Sequence, residues 1–306
     1  MNEIREVAVI GLGALGIMYG KHLMDHGAQE HLSIIVDKER LERYEREGVF
    51  CNDEVCSFHY VIPEKCKNTV DLLLIAVKFN GLEQALKDAA PFVDENTIIM
   101  SLLNGISSEE IIKERFGSEK VVYCVALGMD AMKLGNQMHY TNKGLLAFGT
   151  FDQYEKNPKI SAVASYFDRM EIPYRIDNNM KYQLWSKFMV NVGVNQTTMV
   201  YETNYAGIHK DGEARQTMIA AMREVMELSK AEGINLTDED LHYWLEVLDG
   251  LDPEGMPSMR QDSVRGQKSE VELFSGTCIA LGNKHGISVP VNEYLYQQIR
   301  TMENNI

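Results

Sequence analysis

The chain has 306 residues, 45% hydrophobic and 25% charged, with a formal net charge of −15 and a pI near 5.0. This is ordinary globular usage, long enough for two domains, and it excludes a largely disordered chain. The acidic balance disfavours generic nucleic-acid binding and adhesion to anionic membranes, and with neither a membrane-length apolar run nor a signal pattern in Met1-Asn2-Glu3-Ile4-Arg5-Glu6, a cytoplasmic protein is expected.

In chain order, Val7-Ala8-Val9-Ile10 reads as a strand ending in glycines, and Ile17 to His26 follows with helical spacing. Further strands are expected at Leu32 to Val36, Asp71 to Val77 and Thr97 to Leu102, with a helix over Leu82 to Ala90. Strands alternating with helices imply a mainly parallel sheet. Val121 to Val125 reads as another strand, Gln137 to Tyr140 with Leu145 to Phe148 as an antiparallel pair closing the sheet, Ser161 to Met170 as a helix, and Tyr174 to Ile176 as a last strand. From Met180 onward helical patterns dominate: Lys181 to Val194, Glu213 to Glu232, Asp238 to Leu248, Ser258 to His285, and Asn292 to Met302. The expected fold is therefore α/β: a Rossmann-type doubly wound sheet over 1–178, then an all-α domain over 179–306.

The cysteines Cys51, Cys56, Cys66, Cys124 and Cys278 are odd in number and form no C-x-x-C pair, so reduced thiols are expected. No H-E-x-x-H or comparable ligand spacing exists among the histidines, and no metal site is expected.

Gly11-Leu12-Gly13-Ala14-Leu15-Gly16 is a complete G-x-G-x-x-G between a strand and a helix. Its glycines allow a tight turn, close approach of backbone to a pyrophosphate, and close helix–strand packing, while the helix N-terminus favours negative charge. Asp37 lies twenty-one residues after Gly16, at the end of the second strand, where a carboxylate accepts hydrogen bonds from ribose hydroxyls and repels a 2′-phosphate. The cofactor is thus NAD(H) or NADP(H), with NAD(H) favoured by Asp37; Lys38 and Arg40 directly after it stand ready for a phosphate, and a solvated turn carboxylate is the plain alternative.

In the helical part, Lys187, Asn191 and Asn195 recur at i, i+4 and i+8 and so share one helix face. A lysine and two amides in line suit a carbonyl oxygen and a carboxylate, the two groups of a 2-oxo acid, although a solvated polar stripe has the same spacing. Ser258 begins a helix within which Ser269-Glu270-Val271-Glu272 is expected to lie, and either glutamate can pair with Lys187 or face water.

With these motifs in order, the chain resembles the ketopantoate (2-dehydropantoate 2-) reductases nearly end to end. Further markers are Val77-Lys78, Asn104-Gly105, Trp185-Ser186-Lys187, Ser258-Met259 with Gln261-Asp262, and His285-Gly286-Ile287 with Pro290. The resemblance implies that Lys187 is the general acid for reduction of a 2-oxo acid and that Glu270 contacts the cofactor and braces the site. It makes Asn104, Asn191, Asn195 and Ser258 substrate contacts, and places Lys78, Asn104 and Ala131 along the nicotinamide and its ribose. It also implies a role in pantothenate synthesis. Three departures stand out: Asp37 where NADPH-using members often carry arginine, Tyr201-Glu202-Thr203-Asn204-Tyr205 in place of a further substrate asparagine, and Ser269 and Glu272 beside the glutamate. Two other readings fit the same residues, an NAD-dependent D-2-hydroxy acid dehydrogenase and a dinucleotide sensor without chemistry. The long apolar helices leave packing within one subunit or across a homodimer open.

Overall fold

The computed structural model describes residues 3–152 and 156–304; Met1 and Asn2 of the leading segment lie outside them. The chain forms two compact units, Met1–Leu103 with Ser108–Met180, and Asn104–Ser107 with Lys181–Ile306. It passes between them after Leu103, Ser107 and Met180, where the sequence reading expected one passage near residue 178.

The first unit begins with β1 (Val7–Ile10), α1 (Ala14–Leu23), β2 (Leu32–Ile35), α2 (Lys38–Glu47), β3 (Phe50–Cys51), β4 (Glu54–Val55) and β5 (Tyr60–Val61). It continues with β6 (Leu72–Ile75), α3 (Leu82–Ala89), β7 (Ile98–Ser101), α4 (Ser108–Phe116), β8 (Tyr123–Leu127), β9 (Met132–Leu134) and β10 (Gln137–His139), and ends with β11 (Leu145–Gly149), α5 (Lys159–Arg169) and β12 (Tyr174–Asp177). A five-stranded parallel sheet runs in the order β5-β2-β1-β6-β7. All four residues of β1 and of β6 are buried, because helices cover both faces: Val7, Val9, Leu72 and Leu74 join one apolar cluster, and Ala8, Ile10, Leu73 and Ile75 the other. Helix α2 escaped the sequence reading because its ten residues are mostly charged and only Tyr44 among them is buried.

The antiparallel pair expected between 137–140 and 145–148 does not form. β10 pairs instead with β9 across the two-residue turn Gly135-Asn136, and β11 pairs with β8 and β12. Gly135 has φ +58°, and a Gly-Asn turn closes a tight hairpin that beats the longer connection through 141–144. That longer connection is tied down separately, since the Asp130 carboxylate accepts from the Thr141 and Asn142 amides at 2.9 and 2.8 Å.

One buried polar contact in this unit has a pH consequence. His22 on α1 is 4% exposed, with Nε2 2.7 Å from the Met170 carbonyl and Nδ1 2.5 Å from Lys143 Nζ. Burial, and then the Lys143 ammonium, push the imidazole down to about 4 from its ordinary 6.5. The unfolded chain therefore takes up this proton first, so stability from His22 is present above pH 6.5 and is lost as pH falls towards 4. Urea midpoints measured from pH 4.5 to 7 should rise with pH in the wild type and rise less in His22→Gln; equal slopes would remove His22 from that account.

The second unit holds α6 (Met180–Val200), α7 (Ala206–His209), α8 (Glu213–Ala231), α9 (Asp238–Asp249), α10 (Ser258–Val264), α11 (Thr277–His285) and α12 (Pro290–Glu303). The single helix expected over 258–285 is broken. α10 stops at Val264, Gly266 takes φ +63°, the Gly266 and Gln267 amides turn back onto the Ser263 and Asp262 carbonyls, and helical winding resumes only at Glu272. Ser269-Glu270 thus lies in a connection and not inside a helix. A network of the buried Gln196, Ser275 and Asn292 with the half-buried Glu224 links α6, α8 and α12, with Asn292 Nδ2 donating to Glu224 at 2.8 Å and the Ser275 amide to Gln196 at 3.1 Å. Among the described residues no helix is long and apolar enough to cross a membrane.

Candidate active site

In the first unit the parallel register sets Ile10 level with Ile35 and Ile75, so β1, β2 and β6 end together. Gly11, Asp37 and Lys78 follow those three ends, and the strand order reverses between β1 and β6, where α/β sheets bind nucleotides. Gly11 has φ +96°, and a Cβ there would lie 2.6 Å from Val77 Cγ1; a Cβ on Gly16 would lie 1.9 Å from the Gly11 carbonyl oxygen. Gly13 caps α1 without a side-chain bond, and the first turn, with Ala14 and Leu15, carries no acidic residue. Helix-start amides left uncapped, beside a turn only glycine can make, fit a dinucleotide pyrophosphate. Leu12 is buried beneath this turn.

Asp37 is the N-cap of α2: its Oδ1 accepts from the Arg40 amide at 2.7 Å, and its Oδ2 takes a short contact from the Arg40 guanidinium. It is therefore an ordered cap and not a loose turn carboxylate, and it carries its own counter-ion. Ala131 immediately precedes β9, and Lys133 two residues later is a cation the sequence reading missed. Burial, then Arg43 of α2 and Lys78 beyond the end of β6, hold the Lys133 ammonium of β9 below the usual lysine range. No spacing rule connects residues 43, 78 and 133, and only the tertiary fold could have grouped them.

In the second unit Lys187, Asn191 and Asn195 follow one another along α6. Lys187 and Asn191 are half-buried and Asn195 is buried, so the face is not a solvated stripe. Beside Lys187, Trp185 is buried and Ser186 accepts a hydrogen bond from Trp244 Nε1 of α9 at 2.8 Å. Four expected residues come together here. Asn191 Nδ2 reaches Asn104 Oδ1 at 3.5 Å, Asn195 Nδ2 donates to the Asn191 carbonyl at 3.2 Å, and Asn195 Oδ1 accepts from Ser258 Oγ at 3.0 Å and from the Met259 amide at 3.2 Å. Asn195 thereby caps the start of α10, where Pro257 offers no side-chain cap, and holds the exposed Ser258 in place.

Glu270 stands next to Ser269, whose amide and hydroxyl both donate to Glu303 of α12 at 2.7 Å. Glu272 is committed elsewhere, to Tyr296 at 2.7 Å and to Arg300, so it is not a partner of Lys187. Asn204 lies beyond α6, and its Nδ2 contacts Glu254 Oε2 at 3.4 Å. His285 and Gly286 are structural: His285 bonds Glu232 at 2.6 Å, and Gly286, at φ +67°, ends α11. Among the described residues no group of three potential ligands is placed to hold a metal ion.

Two family models cover the chain, "Ketopantoate reductase PanE/ApbA" over residues 7–153 and its C-terminal counterpart over 179–303. The 2-dehydropantoate 2-reductases of Aquifex aeolicus and Vibrio cholerae are each 25% identical, covering 98% of this chain and 97% and 98% of their own lengths. Among solved structures, a D-mandelate dehydrogenase bound to NADH superposes with TM-score 0.88 at 22% identity, covering 98% of this chain and 99% of that one. The 2-dehydropantoate 2-reductase of Geobacter metallireducens does so with TM-score 0.84 at 25% identity, covering 97% and 99%. With the glycine turn and the Lys187 helix both in place, the chain belongs to the ketopantoate reductase family of nicotinamide-dependent oxidoreductases.

Proposed function

We propose that the protein reduces 2-dehydropantoate to pantoate, with Lys187 as general acid. The observation that carries this reading is the hydrogen-bonded set Asn104, Asn191, Asn195 and Ser258 beside Lys187 on α6. When bound, the nicotinamide supplies a hydride to the carbonyl carbon. Lys187 gives its Nζ proton to the carbonyl oxygen as the C=O double bond becomes a C–O single bond, so no free alkoxide forms. Asn104, Asn191 and Ser258 orient the carboxylate and hydroxyl of the substrate, Asn195 places Ser258, and Lys78 and Ala131 of the first unit contact the cofactor.

A second reading is favoured by Asp37, a carboxylate where a 2′-phosphate would otherwise sit: an NADH-using D-2-hydroxy acid dehydrogenase acting on other branched or aromatic 2-oxo acids. NADH is the coenzyme we propose in either case. Initial rates with NADH and with NADPH on ketopantoate, 2-oxoisovalerate and phenylglyoxylate separate the two. A dominant kcat/KM on ketopantoate supports the first, a dominant value on a simpler oxo acid the second, and no turnover on any would return the chain to a binding role.

Asp37→Asn keeps an efficient helix cap while removing the charge and freeing Arg40. It should shift the NADH-to-NADPH ratio of kcat/KM towards NADPH by roughly tenfold, as expected for relief of like-charge repulsion. An unchanged ratio would show that Asp37 does not read the ribose. A Staphylococcus aureus relative of this fold, at TM-score 0.80 and 21% identity, is described as dimeric, and we propose the homodimer for this chain as well.

A further inference from the structure

Glu109 is an acidic side chain that the proposed chemistry does not use, yet it is 1% exposed. It stands in the first turn of α4, beside the six-residue loop 102–107 that joins β7 to α4 and carries Asn104. The ends of this loop are tied by side chains. Ser101 Oγ and Ser108 Oγ are 2.8 Å apart, Ser108 Oγ donates to Glu109 Oε2 at 2.9 Å, and the Leu103 amide donates to Ser101 Oγ at 3.3 Å. At the loop's centre Gly105 takes φ +93°, and a Cβ there would lie 2.5 Å from Leu273 Cδ1. Glu109 Oε1 and Ser107 Oγ are buried with no hydrogen-bond partner among the described residues.

We propose that Glu109 is a positioning residue of the reductase: through Ser108 and Ser101 it holds loop 102–107, and hence the Asn104 amide, in the arrangement that binds the oxo acid. The inference rests on the reading of Asn104 as a substrate contact. With Glu109 ionised every donor in the chain has an acceptor, from the Leu103 amide to Ser101, Ser108 and the carboxylate, and the last bond is charge-assisted. With Glu109 protonated the last bond loses its charge assistance, and the tie between Ser101 and Ser108 weakens.

Burial pushes the Glu109 carboxyl up to about 7, against the pull of the Ser108 hydroxyl and its own backbone amide. Glu110 raises it further and Lys113 lowers it; α3, packed on α4, carries Glu83, Lys87 and Asp88, and the turn after α4 carries Glu119 and Lys120, which pair with each other. The sign for stability is opposite to that for binding. A folded carboxyl raised from 4.5 to about 7 stabilises the fold below pH 4.5, and this stability is lost as pH rises through 7. An ionised Glu109 therefore weakens the fold while it orders the loop.

The test compares wild type with Glu109→Gln from pH 6 to 9, reading kcat and KM for the oxo acid, thermal melting, and hydrogen exchange of peptides spanning 102–107 corrected for intrinsic rates. In the wild type KM should fall severalfold as pH rises through about 7, with greater protection of 102–107 at high pH. In Glu109→Gln both dependences should vanish, KM should stay near the wild type's low-pH value, and melting at pH 8 should be no lower than wild type. A residue that merely fills space would lower the melting temperature and leave the pH profile intact. Unchanged exchange and an unchanged KM profile in the variant would overturn the proposal. If no oxo acid is turned over, the role of Asn104 fails, whereas exchange still decides whether Glu109 orders the loop. Should Glu109→Gln not fold, Ser108→Ala cuts the same tie with the carboxyl left in place, and exchange of 102–107 decides in the same way.

Discussion

Lys187→Ala should lower kcat for reduction of the preferred 2-oxo acid by roughly a thousandfold while leaving NADH affinity nearly unchanged, the range expected when a proton donor and its charge are removed together. The expectation rests on position. Lys187 lies one turn before Asn191 on α6, half-buried, with its helix pinned by the Trp244 to Ser186 hydrogen bond at 2.8 Å. On the proposed mechanism the Lys187 ammonium would meet the negative charge that develops on the carbonyl oxygen, a stabilisation made in the transition state and scarcely in the ground state. kcat and kcat/KM should therefore fall together, with KM moving little. Steady-state rates and a fluorescence titration with NADH, run on the same preparation, separate the two quantities. Turnover near the wild-type rate would remove Lys187 from its role. A loss of NADH binding equal to the loss of rate would instead make it a cofactor contact.

Gly16→Ala has the second large effect, and it falls on the other unit. The added methyl group would lie 1.9 Å from the Gly11 carbonyl oxygen, a backbone atom at the tightest point of the β1–α1 turn. No rotamer change relieves a clash with backbone, so α1 must move away from β1, and the cost exceeds the ~1–3 kcal/mol of ordinary overpacking. Moving the helix start would also carry away the amides that the proposed reading assigns to the pyrophosphate. The variant should melt well below wild type and show no measurable NADH binding. Gly13→Ala is the control for melting alone, because its methyl group would stand 3.1 Å from the Ala76 carbonyl oxygen, where a shift of a few tenths of an ångström suffices. Wild-type melting and NADH affinity in Gly16→Ala would show that the turn has slack the geometry does not suggest.

What was readable from the chain alone was whatever local spacing dictates. The glycine turn, the buried strands β1 and β6, and the Lys187–Asn191–Asn195 face all depend on residues within a few turns of one another, and periodicity carries that information. Asp37 was legible as a position but not as a helix cap, because α2 is charged along most of its length and shows little apolar pattern.

Local spacing failed where two partners competed or where a distant group decided. The Gly135-Asn136 hairpin took β10 from β11, since a two-residue turn costs less chain entropy to close. Gly266 ended α10, which left Ser269-Glu270 outside a helix, with Ser269 donating to the carboxylate of Glu303. Asn195, read as a donor to the substrate, also proves to be the buried cap of a helix that begins sixty-three residues later. The sequence by itself determined which residue types lie on which local element, because φ/ψ preference and hydrophobic period act over a few residues. Only the tertiary structure decided which of those residues share hydrogen bonds, as with Asn104, Asn191, Asn195 and Ser258, because burial leaves each polar atom to find its partner wherever the chain brings one near.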